Sequence, residues 1–231
     1  MIGLRPGDRV VVHCSLRAVG LDAEELIDEL LAAVGPSGLV VMPTFTYDNE
    51  TFAPDTPART GALAEAFRRR RAAVRSAHPT YSFAAIGPDA AELLDGHERV
   101  GATAIDSPLD RLAAAGGLVL LLGVGHTSNT TVHVGEFHAE APYLSIPFDP
   151  DWPTHGYDRF PGCSRTFGVL ERPLRERGAI RDGKIGNALA QLVSGSAVID
   201  TTIELLRADP TALLCNDSAC YRCSQARAAL T

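Results

Sequence analysis

The sequence predicts an α/β fold, a single-domain mixed sheet with flanking helices. Three observations predict it. First, Arg9-Val-Val-Val-His13, Leu39-Val-Val-Met-Pro43 and Leu118-Val-Leu-Leu-Leu-Gly-Val124 are short, nearly unbroken apolar runs. That is the pattern of strands buried on both faces. Second, residues 22–34 carry Leu26, Ile27, Leu30, Leu31 and Val34 at helical spacing. Third, strand, helix and strand follow one another within about 35 residues, which suggests a crossover unit whose strands pair in parallel.

The elements follow in order. Pro6-Gly-Asp8 is a turn that introduces the first strand. Asp22, Glu24 and Glu25 sit at the positive end of the first long helix, and Gly35-Pro-Ser-Gly38 closes it. Residues 44–60 are polar, rich in Pro and Thr, and read as a loop. Residues 61–71 read as a helix whose closing arginines, Arg68 to Arg71, compensate its dipole. A strand is expected over 81–86 and a short helix over 90–94. Another helix runs over 108–115 with Ser107 as its N-cap. The strand at 118–124 is the clearest central one; it leads through Gly125-His-Thr-Ser-Asn129 into a helix over 131–139. Residues 141–168 lack periodicity. Helices are expected over 186–193 and 198–208. There is no internal repeat and no low-complexity linker. Residues 1–231 therefore read as one domain, with a less regular cap at about 137–175.

Composition narrows the function. Lys plus Arg is 21 against 28 for Asp plus Glu, a net charge of −7. That balance argues against a nucleic-acid partner and suits a cationic ligand better. No basic segment followed by an apolar run opens the chain, and no run reaches the roughly 20 apolar residues of a membrane span. A cytoplasmic protein without a membrane partner, monomeric or homodimeric, is the simplest expectation. The 5 cysteines, an odd number, do not suggest a secreted disulfide framework.

The segment richest in chemistry is Gly123-Val-Gly-His-Thr-Ser-Asn-Thr-Thr-Val-His-Val-Gly-Glu136. It places a polar cluster at the C-terminal end of a buried strand, the edge where open α/β sheets bind ligands. A helix starting near Asn129 would offer free N–H groups to a developing anion. His133 and Glu136 are three apart and share a helical face, so a carboxylate there can orient and support a histidinium. The same spacing also belongs to an ordinary polar helix with an incidental histidine. Ser15-Leu-Arg-Ala-Val-Gly20 is a strand-to-helix turn able to present backbone donors to a phosphate, although it is neither a Walker nor a dinucleotide motif. Arg75 is a candidate phosphate partner, and His78 before Pro79 is equally readable as a turn residue.

Together the blocks resemble the aminoglycoside 3-N-acetyltransferase family, antibiotic acetyltransferases of a different fold from the Gcn5 type. The matching residues are Val12-His13-Cys14-Ser15-Leu16-Arg17 with Gly20, Met42-Pro43-Thr44-Phe45, Arg75-Ser76-Ala-His78-Pro79 with Ser82, and Ser107-Pro108-Leu109 with Arg111-Leu112. Leu122-Gly123-Val124-Gly125 through Asn129-Thr130, His133 and Glu136 complete them, and Arg175 to Ala188 looks like the C-terminal block. The resemblance implies acetyl-CoA as co-substrate and an aminoglycoside amine as acceptor, with direct transfer in a ternary complex. It implies His133 as general base, Glu136 as its support or a contact for the cationic acceptor, and Thr130 as a polariser of the thioester oxygen. It places Ser15, Leu16, Arg17, Gly20, Arg75, His78, Ser82 and Ser107 along the coenzyme. Asp48, Glu50 and Asp55, with Asn129, are candidates for binding the acceptor.

Two departures from the family pattern stand out: little chain precedes the first strand, and the stretch between Glu136 and Leu170 is short. The shorter stretch leaves open an alternative, CoA-dependent N-acylation of a different amine in biosynthesis or detoxification. Cys215, Cys220 and Cys223, with Cys163 or a histidine as fourth ligand, have spacings that suit zinc. Only three are local, so they are read as unpaired structural cysteines, with no metal required. Cys14 is read as a small buried hydrophobe, not an acyl carrier.

Overall fold

A computed structural model describes residues 2–47, 52–151 and 154–230. Seven strands form one sheet: β1 (Arg9–Cys14), β2 (Leu39–Pro43), β3 (Val74–Arg75), β4 (Phe83–Ile86), β5 (Leu118–Leu122), β6 (Ile180–Ile185) and β7 (Ala188–Ser194). Their order is β3-β4-β2-β1-β5-β7-β6. β2, β1 and β5 are mutually parallel, with Val11 opposite both Val41 and Val119. The outer strands on each side pair antiparallel. The expected mixed sheet is therefore parallel at its centre and antiparallel at both edges.

Strand alternation divides the interior into two cores. Val10 and Val12 face one and Val11 the other. Helices α2 (Ala23–Val34) and α3 (Ala62–Arg68) cover the first, through Leu26, Ile27, Leu30, Val34, Leu63 and Phe67. Asp22 caps α2 by accepting the Glu24 N–H at 2.8 Å. Arg68 bonds Glu65 of its own helix at 2.6 Å, and Arg70, just past α3, reaches Glu24 and Asp28 and so ties it to α2. The second core is covered by α4 (Ala90–Leu94), α5 (Pro108–Ala114), α6 (Thr131–His138) and α8 (Gly195–Ala208). Among the described residues, the remaining α-helices are α1 (Leu16–Val19), α7 (Glu171–Glu176) and α9 (Tyr221–Leu230). Ser107 stands at the N-cap of α5, but its hydroxyl makes no capping bond. Among the described residues no helix is long and apolar enough to cross a membrane.

One expected element is corrected. Residues 186–193 are not a helix but most of β7, paired with β6 through a two-residue turn in which Ile185 lies opposite Ala188. Ala188, Leu189, Gln191 and Leu192 all favour helix intrinsically. Tertiary pairing overrides that preference. Gly186 takes φ 54°, which a tight hairpin turn needs and an L side chain resists. Burial then alternates from Ala188 at 5% exposed to Leu189 at 79% and Ala190 at 1%, the period of a strand.

Candidate active site

The three parallel strands end along one edge, and a cavity of about 470 Å³ opens there. His13 and Cys14 from the end of β1, Met42 and Pro43 from β2, and Val124 just past β5 line it. Thr127, Ser128, Asn129, Thr130 and His133 form the wall leading into α6. Phe45, Tyr47 and Tyr81 make an aromatic side, with Phe45 edge-on to Tyr81 at 5.2 Å between centroids.

His133 and Glu136 project from the same face of α6, as their spacing predicts. The His133 Nδ1–H donates to Glu136 Oε2 at 2.7 Å. Glu136 is wholly buried, and a buried carboxylate is costly unless its lone pairs are satisfied. Two further donors satisfy it: the Tyr143 hydroxyl on Oε1 at 2.9 Å and the Gly162 N–H on Oε2 at 2.8 Å. A Cβ on Gly162 would stand 2.1 Å from Glu136 Oε1, so only glycine permits this approach. Burial and the neighbouring carboxylate both push the Tyr143 phenol above its ordinary range and keep it a donor. With Nδ1 committed to Glu136, Nε2 is the ring nitrogen that His133 can offer to the cavity.

The start of α6 differs from the anion-binding N-terminus expected of it. The Asn129 Oδ1 accepts the Thr131 N–H at 3.1 Å, and the N–H groups of Val132 and His133 bond Asn129 O and Thr130 O. The Asn129 amide also donates to His126 Nδ1 at 3.2 Å. Asn129 therefore shapes the wall and caps the helix. Thr130 is different: its hydroxyl makes no capping bond to α6, and the residue lines the cavity beside His133.

His13 is a cavity residue that sequence reasoning did not assign a role. Burial, with His133 and His126 nearby, lowers its pKa to about 3, and among the described residues its Nε2 has no hydrogen-bond partner. It is thus a neutral polar group between the apolar residues Val12 and Met42 and the polar wall at 127–133. Burial pushes the Cys14 thiol up to about 12, so it is protonated at neutral pH and unsuited to carry an acyl group.

The other expected site residues fall outside the cavity wall. Ser15, Leu16, Arg17 and Gly20 continue directly from the cavity-lining Cys14 along α1 and its cap. The Arg75 guanidinium donates to Ser82 Oγ at 3.1 Å, Thr44 O at 2.7 Å and Pro54 O at 3.1 Å, and also to Thr56 O. Arg75 and Ser82 thereby hold the segment that carries Phe45. His78 is the turn histidine of the alternative reading: its Nδ1 accepts the Thr80 and Tyr81 N–H groups at 3.2 and 3.0 Å, and burial lowers its pKa to about 2. Ser107 is buried in the second core. Asp55 is exposed on the loop after β2, while Asp48 and Glu50 lie outside the described residues.

A parallel-centred sheet with antiparallel edges, carrying a buried carboxylate–histidine pair beside its strand ends, fits the antibiotic acetyltransferase class that the sequence resembles. Comparison with known proteins makes this particular. The family model described as aminoglycoside 3-N-acetyltransferase matches residues 11–207. Aminoglycoside N(3)-acetyltransferase IV from Salmonella sp is 34% identical over 225 residues, spanning 92% of this chain and 86% of that protein. Aminoglycoside N(3)-acetyltransferase VII from Streptomyces paromomycinus is 30% identical, spanning 86% and 85%. Among solved structures, aminoglycoside acetyltransferase AAC(3)-IVa superposes with TM-score 0.86 at 33% identity, covering 98% of this chain and 92% of that one. A histidine-to-alanine mutant of the same enzyme, in complex with a gentamicin, superposes with TM-score 0.88. The chain belongs to the aminoglycoside 3-N-acetyltransferase family, and it is an acyltransferase.

Proposed function

We propose that this chain transfers the acetyl group of acetyl-CoA to the 3-amino group on the deoxystreptamine ring of an aminoglycoside, directly and with His133 as general base. The observation that carries the reading is the 2.7 Å bond from His133 Nδ1 to the buried, doubly anchored Glu136. Glu136 holds the imidazole in the tautomer whose Nε2 is basic and offsets the charge that forms there. An alkyl amine is mostly protonated at neutral pH, with a pKa of roughly 10 for lysine. The amine attacks only as its neutral form, after the ammonium has released its first proton to solvent, and His133 takes a second proton as the nitrogen bonds to the acetyl carbon. The carbon–sulfur bond then breaks, and His133 returns a proton to the leaving thiolate. The Thr130 hydroxyl donates to the thioester oxygen as negative charge develops on it.

The cavity has room for an acetylated thiol arm and one amino-sugar ring, so the nucleotide end lies outside it. The segment carrying Ser15, Leu16, Arg17 and Gly20, which continues from the cavity-lining Cys14, is the proposed path for that end. Arg75, His78 and Ser82 support it by fixing the cavity wall, and Ser107 by setting the start of α5. Asp55, with Asp48 and Glu50 close by in the sequence, supplies negative charge for a cationic acceptor. We place the reaction in the cytoplasm, a reducing compartment compatible with 5 free cysteines.

The test is thiol release from acetyl-CoA across a panel of aminoglycosides and unrelated amines, with NMR of the product. Acetylation at the 3-amino position is expected. Turnover confined to unrelated amines favours the alternative N-acyltransferase reading, and release with no acceptor overturns both.

A further inference from the structure

Four of the five cysteines meet at one point behind the cavity wall, where Gly162 and Ser164 on either side of Cys163 line the cavity. Cys163 follows Gly162, Cys215 lies in the segment after α8, and Cys220 and Cys223 flank the start of α9. Only three of these are near one another in sequence. The fold brings Cys163 from 52 residues away to 3.9 Å from the Cys215 sulfur. All four sulfurs lie within 4.8 Å of one another, and none is in a disulfide. A zinc ion with Zn–S bonds of about 2.3 Å holds tetrahedral sulfurs about 3.8 Å apart. A disulfide would need about 2.05 Å. Hydrophobic packing alone gives no reason for four thiols to converge.

The surroundings suit a thiolate cluster. Cys163, Cys215 and Cys223 are buried, and Cys220 is half-buried. The Cys215 N–H donates to the Cys223 sulfur at 3.3 Å, as an amide does to a charged thiolate. Arg165 lies close enough to interact electrostatically with Cys163 and Cys220, and the buried Arg222 with Cys223. Arg165 also pairs with Asp217, so the two guanidinium groups offset part of the charge of a site that is formally dianionic once a divalent ion binds four thiolates.

We propose that Cys163, Cys215, Cys220 and Cys223 form a structural zinc site that staples α9 to the loop supporting Glu136. Sulfur tetrahedra hold zinc or iron. Zinc is the choice here because acetyl transfer moves no electrons and gives iron no redox task. The site acts by position. Cys163 adjoins the Gly162 that bonds Glu136, and Arg222 on α9 donates to Tyr143 O at 3.1 Å and Phe160 O at 2.6 Å. The ion therefore fixes both neighbours of the Glu136 carboxylate, and no step of the acetyl transfer runs through it.

The experiment measures metal in the full chain purified without chelator. Elemental mass spectrometry is expected to find zinc at about one per chain, since a set of four thiolates saturates one ion. Cobalt-substituted protein should show the visible bands and sulfur charge-transfer absorption of a tetrahedral tetrathiolate. Removing zinc with a strong chelator should lower the melting temperature, and zinc, not magnesium, should restore it. The Cys220→Ser variant should lose at least about 90% of bound zinc, because structural sites close with four ligands. The first three measurements need no variant to fold. Negligible zinc in protein whose thiols are reduced, iron in its place, or a disulfide among the four would each overturn the assignment.

Discussion

At the scale of single residues, Glu136 is where structure and chemistry are most tightly joined. Its carboxylate accepts from His133, Tyr143 and Gly162, so each neighbour can be tested separately. Glu136→Gln keeps the shape and removes the charge that supports the histidinium. It is expected to lower kcat by about 10-fold or more with little change in KM; steady-state kinetics check it, and an equal rate would show that the carboxylate only fills space. Gly162→Ala places a Cβ 2.1 Å from Glu136 Oε1. Overpacking of this kind costs about 1–3 kcal/mol, so a lower urea midpoint is expected together with slower turnover. The pair His133–Glu136 is legible in the sequence because helical spacing is local. Tyr143 and Gly162 are not, because they reach the carboxylate from outside the helix and carry no local signal. His13 escapes for a related reason: a histidine ending an apolar strand reads as core until the sheet edge is seen to open into a cavity.

Elements are most legible where period and punctuation agree. The helix ending at Val34 has a cap, a stripe and a glycine stop, and its expected bounds hold. The 186–193 stretch carries helix-forming residues on a strand, and only the pairing of β6 with β7 decides it. Helix packing makes its own prediction. Gly135 on α6 lies against Thr202 on α8, where a Cβ would meet the Thr202 Cβ at 2.4 Å. Alanine in a helix interior is usually better than glycine by about 1 kcal/mol. Here the clash should outweigh that gain, since overpacking costs about 1–3 kcal/mol. Gly135→Ala is therefore expected to lower stability in urea titration, whereas a stabilised variant would mean that the two helices can separate without cost.

Across the whole molecule, buried histidines set the acid limit. Burial lowers the pKa of His13 to about 3, of His78 to about 2 and of His97 to about 4, from 6.5. In the unfolded chain each takes up a proton near 6.5, and in the folded chain only well below it. The unfolded state therefore binds more protons between those values. Stability is fully present above pH 6.5 and falls as pH drops through the window towards 4, by up to about 1.4 kcal/mol per pH unit for each histidine. Urea unfolding at about pH 7.5 and about pH 5 checks this: a lower midpoint at the acid pH is expected, and equal midpoints would contradict it. The general architecture is legible because three apolar strands and a crossover helix are strong local signals. The antiparallel edges and the meeting of four cysteines are not, since both depend on contacts between distant segments.

The central claim is that His133 removes the proton of the attacking amine. The measurement that tests it most directly is the acetyl-CoA turnover of His133→Ala against the parent chain, with an aminoglycoside acceptor and folding verified by circular dichroism. General-base assistance predicts a loss of at least ~100-fold in kcat. A folded His133→Ala protein that turns over at the parent rate would contradict it.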